Sequence, residues 1–132
     1  KAQSRLDSIK HGPALQQAEQ IQKNAARIGF DFPDVAGAYT KLEEELAELK
    51  HAVQQQNSDE IADEFGDCLF SMINVGRKLG VSSEMSLLST IHKFRTRFAF
   101  IEDQVLQQQK KIEQMSLEEM DQLWEQAKLQ LK

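Results

Sequence analysis

Apolar residues recur along this chain at spacings of three and four, the period of helices buried on one face. From Pro13 the series runs Leu15, Ala18, Ile21, Ala25 and Ile28, and Gly29 supplies a natural stop. Phe30-Asp31-Phe32-Pro33 follows as a short loop whose two Phe are expected to cover a core end or a ligand cleft. A second helix is predicted from about Asp34 to Gln55, with Leu42, Leu46, Leu49 and Val53 as its seam. Asn57-Ser58 breaks it, and Ser58 before Asp59 and Glu60 suits the start of a third helix. That helix carries Ile61, Phe65, Cys68, Met72, Val75 and Leu79 and ends at Gly80. A fourth begins at Ser82 or Ser83 and carries Leu87, Leu88, Ile91, Phe94, Phe98, Ile101 and Val105. Ser116 and Glu119 form a capping box for a last helix with Leu117, Met120, Leu123, Trp124 and Leu131. No segment alternates like a strand over useful length. The predicted fold class is all-α, a bundle of about five helices.

Residues 1–12 are polar and aperiodic and read as a linker or tail, leaving 13–132 as the folded domain. A chain of 132 residues fits one small domain, and its wide apolar faces favour completion of the core by dimerisation. The first residue is Lys1 rather than Met, as expected for a piece of a longer protein. No apolar stretch reaches bilayer length and no signal-peptide pattern opens the chain, so a cytoplasmic, membrane-free protein is expected. The net charge of −5 gives no basic footprint for a nucleic-acid backbone. An acidic protein still binds phosphate compounds when a divalent cation bridges the two.

Helical wheels then single out an acidic constellation. With Leu42 at zero, its seam partners fall within roughly 40°, while Glu45 lies near about 300° and Glu48 near about 240°. With Ile61 at zero on the third helix, Glu64 and Asp67 take the same two positions. A Glu-rich helix face is by itself a common solvated surface; the matching placement at two seam edges sets these pairs apart. Packed as an antiparallel hairpin, the helices bring the pairs together, where mutual repulsion raises their pKa values unless a cation intervenes. Oxygen donors without Cys or His favour Mg²⁺ or Mn²⁺ over zinc, and Mg²⁺ commonly binds phosphates. A di-iron bundle needs Glu-x-x-His twice; His51 follows Glu48 at that spacing, but Glu64 is followed by Asp67. Cys68, the one cysteine, lies in an apolar run beside acids and reads as a small buried thiol. His11, His51 and His92 have no partner spacing and read as surface residues.

Glu44-Glu45-Leu46-Ala47-Glu48 followed by Glu64-Phe65-Gly66-Asp67 resembles the EExxE…ExxD signature of MazG nucleotide pyrophosphohydrolases. Ala18 to Lys23, Gly29 to Phe32, Lys93-Phe94 with Arg97-Phe98, and Leu117 to Lys128 also resemble MazG segments in order. The likeness covers nearly the whole chain and falls on the C-terminal half of two-domain MazG proteins, with the polar start as an interdomain linker. It implies Mg²⁺-dependent hydrolysis of nucleoside triphosphates to a monophosphate and pyrophosphate on a dimeric helical bundle. By motif position, Glu45, Glu48, Glu64 and Asp67 would ligate the metal, while Lys41 and Glu44 would flank the nucleotide or the attacking water. Lys93 and Arg97, four apart on one face, would contact phosphate, and Trp124 would lie near the base. Two positions depart from the pattern: Ile91 stands where an Asn is usual, and Thr96 where a second Arg is usual, with Arg95 one place earlier. The missing Asn leaves a second expectation, a catalytically weak or silent nucleotide-binding domain. A purely structural module for self-association is the third.

Overall fold

In the computed structural model, which describes residues 4–131, the chain is all-α. Of the expected polar linker, residues 1–3 lie outside the described residues. The helices are α1 (Ala14–Arg27), α2 (Val35–Gln54), α3 (Ser58–Lys78), α4 (Ser83–Gln107) and α5 (Leu117–Gln130), with a 3-10 turn at Ile112–Gln114. No strand occurs among the described residues. Two compact units divide at Met85 and Ser86, so that α4 begins in the first and belongs mostly to the second.

Caps in the sequence account for most boundaries. The Asp34 carboxylate accepts from the Gly37 N–H at 3.1 Å and starts α2. For α3 the capping residue is Asn57, whose side chain accepts from the Glu60 N–H, and Ser58 is already helical, so the cap falls one place earlier than expected. Gly29 and Gly80 take positive φ values of 93° and 75° just past α1 and α3, a conformation that favours glycine. Ser116 and Glu119 complete the anticipated capping box on α5.

In the first unit α2 and α3 pack as an antiparallel hairpin over a three-residue turn, and α1 lies against α3. The stripe they bury is displaced from the apolar seam. Ala38, Glu45 and Ala52 are buried on α2, and Cys68, Ser71, Ile73 and Val75 on α3. Apart from Ile73, these positions sit roughly 50° around the wheel from Leu42 and Ile61, toward the acidic side. Leu46, Val53, Phe65, Leu69 and Met72 remain between 42% and 55% exposed. Cys68 and Val75 of the α3 seam are thus buried as expected, while Leu46, Val53, Phe65 and Met72 of the two seams, with Leu69, form an apolar outer face. Turning the small residues Ala38, Ala52 and Ser71 inward lets the helices approach closely, and the bulky side chains are left outside.

Polar links fix α1 and the following loop. Gln22 is buried and donates through Nε2 to the Phe70 carbonyl at 2.9 Å, while Glu19 accepts from the Ser83 N–H at 3.2 Å. Asp31 receives hydrogen bonds from Arg77 and from Lys78 Nζ, and Lys78 also donates to the Phe32 carbonyl at 2.8 Å. The second unit closes on Ile101, Val105 and Leu123, with Met115, Met120 and Trp124 packed around them.

Candidate metal and nucleotide site

Glu45 is 5% exposed, a rare degree of burial for a carboxylate, and helix geometry explains how it is held. Lys41, one turn earlier on α2, places its Nζ 3.1 Å from Glu45 Oε1 and 3.9 Å from Glu44 Oε2. The hydrogen bond to Glu45 raises the lysine's pKa, so the ammonium stays charged. The carboxylate's other oxygen, Glu45 Oε2, is buried without a hydrogen-bond partner.

Across the hairpin, α3 brings Glu64 to the same place. Carboxylate oxygens of Glu45, Glu48 and Glu64 lie within 4.8 Å of one another, and those of Asp63, Glu64 and Asp67 form an overlapping group. Glu64 belongs to both, and its Oε2 is also buried without a partner. Burial, then a hydrogen bond with Glu48 and the charges of Glu48, Asp67 and Glu45, push its pKa up to about 7. The hairpin thus brings Glu45, Glu48 and Glu64 together, while Asp67 joins them only through Glu64. It adds Asp63, which sequence reasoning passes over although it sits about 40° from Asp67 on the same acidic arc.

This donor set fits a hard divalent cation. All the oxygens are carboxylate, two of them are buried and unsatisfied, and one nearby ammonium does not balance the negative charge. Cys68 lies one turn beyond Glu64, buried and free. Burial and the adjacent carboxylates raise its pKa, so it is a neutral thiol and no nucleophile. Glu44 is exposed on the outer side of α2, outside both carboxylate groups, and the Lys41 ammonium lies between it and Glu45.

The remaining predicted residues belong to the second unit. The Arg97 guanidinium lies 5.3 Å from the centre of the Trp124 ring, and Phe94 packs against the same indole at 5.3 Å. Lys93 is exposed one turn before Arg97. Trp124 is half-buried against the Ile101 cluster, so its indole is a core-edge residue that also orients an arginine.

Known proteins resemble this chain. The MazG nucleotide pyrophosphohydrolase domain matches residues 34–99, half of the chain. The chain belongs to the MazG family. A Thermotoga maritima nucleoside triphosphate pyrophosphohydrolase/pyrophosphatase MazG is 42% identical over 116 residues, covering 88% of this chain and 44% of that protein. An Escherichia coli nucleoside triphosphate pyrophosphohydrolase is 36% identical over 130 residues, covering 96% of this chain and 49% of its own length. YabN of Bacillus subtilis, an uncharacterized protein, is 45% identical over 65 residues, covering 49% of this chain and 13% of that protein. The chain thus spans about half the length of these two pyrophosphohydrolases. The MazG match takes in Lys41, Glu44, the acidic group, Lys93 and Arg97; Trp124 lies beyond it.

Proposed function

We propose that this chain is a nucleoside triphosphate pyrophosphohydrolase domain that uses Mg²⁺ or Mn²⁺, releasing a nucleoside monophosphate and pyrophosphate. The observation that carries this reading is the pair of buried, partnerless oxygens, Glu45 Oε2 and Glu64 Oε2, in one acidic group. An unsatisfied buried carboxylate oxygen is unfavourable, and a divalent cation supplies the missing partner. Glu45, Glu48, Glu64 and Asp67 would hold the cation, with Asp63 at the edge of the same group. Such a cation supplies Lewis acidity, neutralising triphosphate oxygens and making water a better nucleophile near neutral pH.

The chain's own residues do the rest of the work in this reading. Lys41 fixes the Glu45 carboxylate and keeps its own charge toward the nucleotide. Glu44, exposed beside it, orients the water that attacks phosphorus. Lys93 and Arg97 take up the negative charge developing on the leaving pyrophosphate, with Arg97 steadied by the Trp124 ring. Trp124 would lie near the base of the nucleotide. The exposed apolar face of Leu46, Val53, Phe65, Leu69 and Met72 supports a homodimer as the working form. No helix among the described residues is long and apolar enough to cross a membrane, in keeping with a cytoplasmic enzyme.

Ile91 in place of the usual Asn favours a second reading, a catalytically silent nucleotide-binding domain. Pyrophosphate release from a panel of nucleoside triphosphates, with Mg²⁺ and with EDTA, separates the two. Release that stops with EDTA is expected. If no nucleotide is turned over but Mg²⁺ and nucleotide together raise Tm, the silent domain stands instead. Neither effect would leave only a structural module.

A further inference from the structure

The two faces of α1 carry different chemistry. Its buried residues, Glu19 and Gln22, lie on the side packed against α3. Gln16, Gln17, Gln20, Asn24 and Arg27 fall between about 120° and about 220° around the wheel from Gln22, on the side turned away. The segment before α1 is tied to that second face, because Gln17 Nε2 donates to the Gly12 carbonyl at 2.7 Å. Hydrogen bonds from the Asp7 N–H to the Ser4 carbonyl and from the Ile9 N–H to the Leu6 carbonyl shape the segment itself. Between segment and helix lies a pocket of about 570 Å³, well inside the range for small-molecule sites.

The lining of this pocket reverses the charge of the chain. The protein has 21 Asp and Glu against 16 Lys and Arg, yet the lining holds Lys10, His11 and Arg27 and not one acid. Within the described residues no ion pair engages any of the three. Asp7, the nearest acid in the segment, accepts through Oδ2 from the Ser4 N–H at 3.0 Å. Arg27 Nη1 donates to Asn24 Oδ1 at 2.8 Å, which orients the guanidinium and leaves Asn24 Nδ2 as a further donor. Gly12 and Gln16 bring in the start of α1, where Pro13 provides no side-chain cap and the first turn has no acid. A helix start of this kind favours negative charge. No Phe, Tyr or Trp lines the pocket, so it has no stacking platform for a base. Cations and amides spread over about 16 Å of helix, from Gln16 to Arg27, suit an extended chain of anionic oxygens.

We propose that this pocket binds a condensed phosphate chain directly, without a divalent cation. Free inorganic polyphosphate and the triphosphate tail of a nucleotide share that chemistry. The pocket is separate from the acidic group, since it lies on the side of α1 turned away from α3. It stands whether or not the acidic group hydrolyses nucleotides.

The need for metal tells the two places apart. In EDTA the acidic group repels phosphate, whereas the basic pocket still attracts it. Calorimetric titration of the full chain in EDTA at low salt is expected to show saturable binding of tripolyphosphate. Affinity should rise from orthophosphate through pyrophosphate to tripolyphosphate as more of the basic groups are engaged. Lys10→Gln combined with Arg27→Gln should weaken tripolyphosphate at least about tenfold, the scale of losing one charge-assisted hydrogen bond. Both side chains are exposed, so the far-UV circular dichroism should not change. Glu48→Gln combined with Asp67→Asn should not weaken binding. ATP binding as tightly as tripolyphosphate admits both sources of the phosphate chain, and weaker ATP binding assigns the pocket to the free chain. No saturable binding in EDTA would overturn the proposal, as would an unchanged affinity in the Lys10 and Arg27 variant. Tighter binding of ATP than of tripolyphosphate, or of a single-stranded oligonucleotide than of either, would overturn it too.

Discussion

Two carboxylates in the same unit, Asp31 and Glu64, are treated in opposite ways. Asp31 has a complete set of partners: hydrogen bonds from Arg77, then Lys78 and the Phe32 N–H, hold its pKa down at about 2. Glu64 meets burial and three other acids, and its pKa rises to about 7. The first arrangement ties the loop to α3 and asks for nothing further. The second is unfavourable as it stands and becomes favourable only when positive charge arrives. A compensated charge is architecture; an uncompensated one is a site.

The sharpest way to break that contrast is to remove acids from the second arrangement. Glu48→Ala and Asp67→Ala should each lower kcat/KM for the preferred nucleotide at least about 100-fold, the scale of losing one preorganised charge contact. Far-UV circular dichroism should stay as in the parent, because both side chains are exposed and neither caps a helix. Near-parental turnover in either variant would remove the acidic group from the chemistry.

Stability against pH separates the two carboxylates next. Glu64 has a folded pKa above the ordinary 4.5, so the folded state holds a proton that the unfolded state has lost. In EDTA, its contribution to stability therefore falls as pH rises from about 4.5 to about 7. Glu64→Gln should flatten that limb, raise Tm at pH 8 and leave it unchanged near pH 4. It should also lose most of the Tm increase that Mg²⁺ gives the parent. Asp31 carries the opposite sign. Its folded pKa is below 3.8, so its contribution is intact above that pH and lost as pH falls toward 2. Asp31→Asn should remove this acid limb and destabilise the domain at neutral pH by about 1 kcal/mol, the upper range for a partly exposed ion pair. Urea unfolding at a series of pH values measures both limbs. Identical profiles for the two variants would show that the contrast is not real.

Much of this could be read from the sequence, for identifiable reasons. Helix existence followed from three-four periodicity, and Gly29, Gly80, Asp34 and Ser116 marked ends because each has local chemistry that works at a terminus. The acidic pairs were legible because a wheel needs only sequence spacing. What the wheel could not give was the angle at which the helices face each other. The larger apolar arc points outward and the buried stripe runs through Ala38, Glu45 and Ala52, since backbone approach depends on small residues that a hydrophobicity pattern undervalues. Asp63 takes the wheel position that Glu44 holds on α2, roughly 200° from the seam, where an acid reads as solvated surface. The partners of Asp31 were beyond reach altogether, because Arg77 and Lys78 are 46 and 47 residues away.

A last pair of effects uses two glycines, one beside each arrangement. A Cβ added at Gly37 would stand 3.1 Å from Phe32 Cδ1, against the loop that Asp31 secures. A Cβ at Gly66, between Glu64 and Asp67, would meet nothing within 4 Å. Alanine has the better helix propensity at both positions, by up to about 1 kcal/mol. At Gly66 that gain has no opponent, so Gly66→Ala should stabilise the domain by about 0.5–1 kcal/mol. At Gly37 the Phe32 ring must move, and crowding of this kind costs about 1–3 kcal/mol. Gly37→Ala should therefore be neutral or destabilising by up to about 2 kcal/mol. Opposite signs in parallel urea titrations would show a packed clamp beside an open acidic edge. A destabilised Gly66→Ala would instead mean that another chain comes close to the edge, and comparing its midpoint across protein concentrations would identify that chain as a second copy.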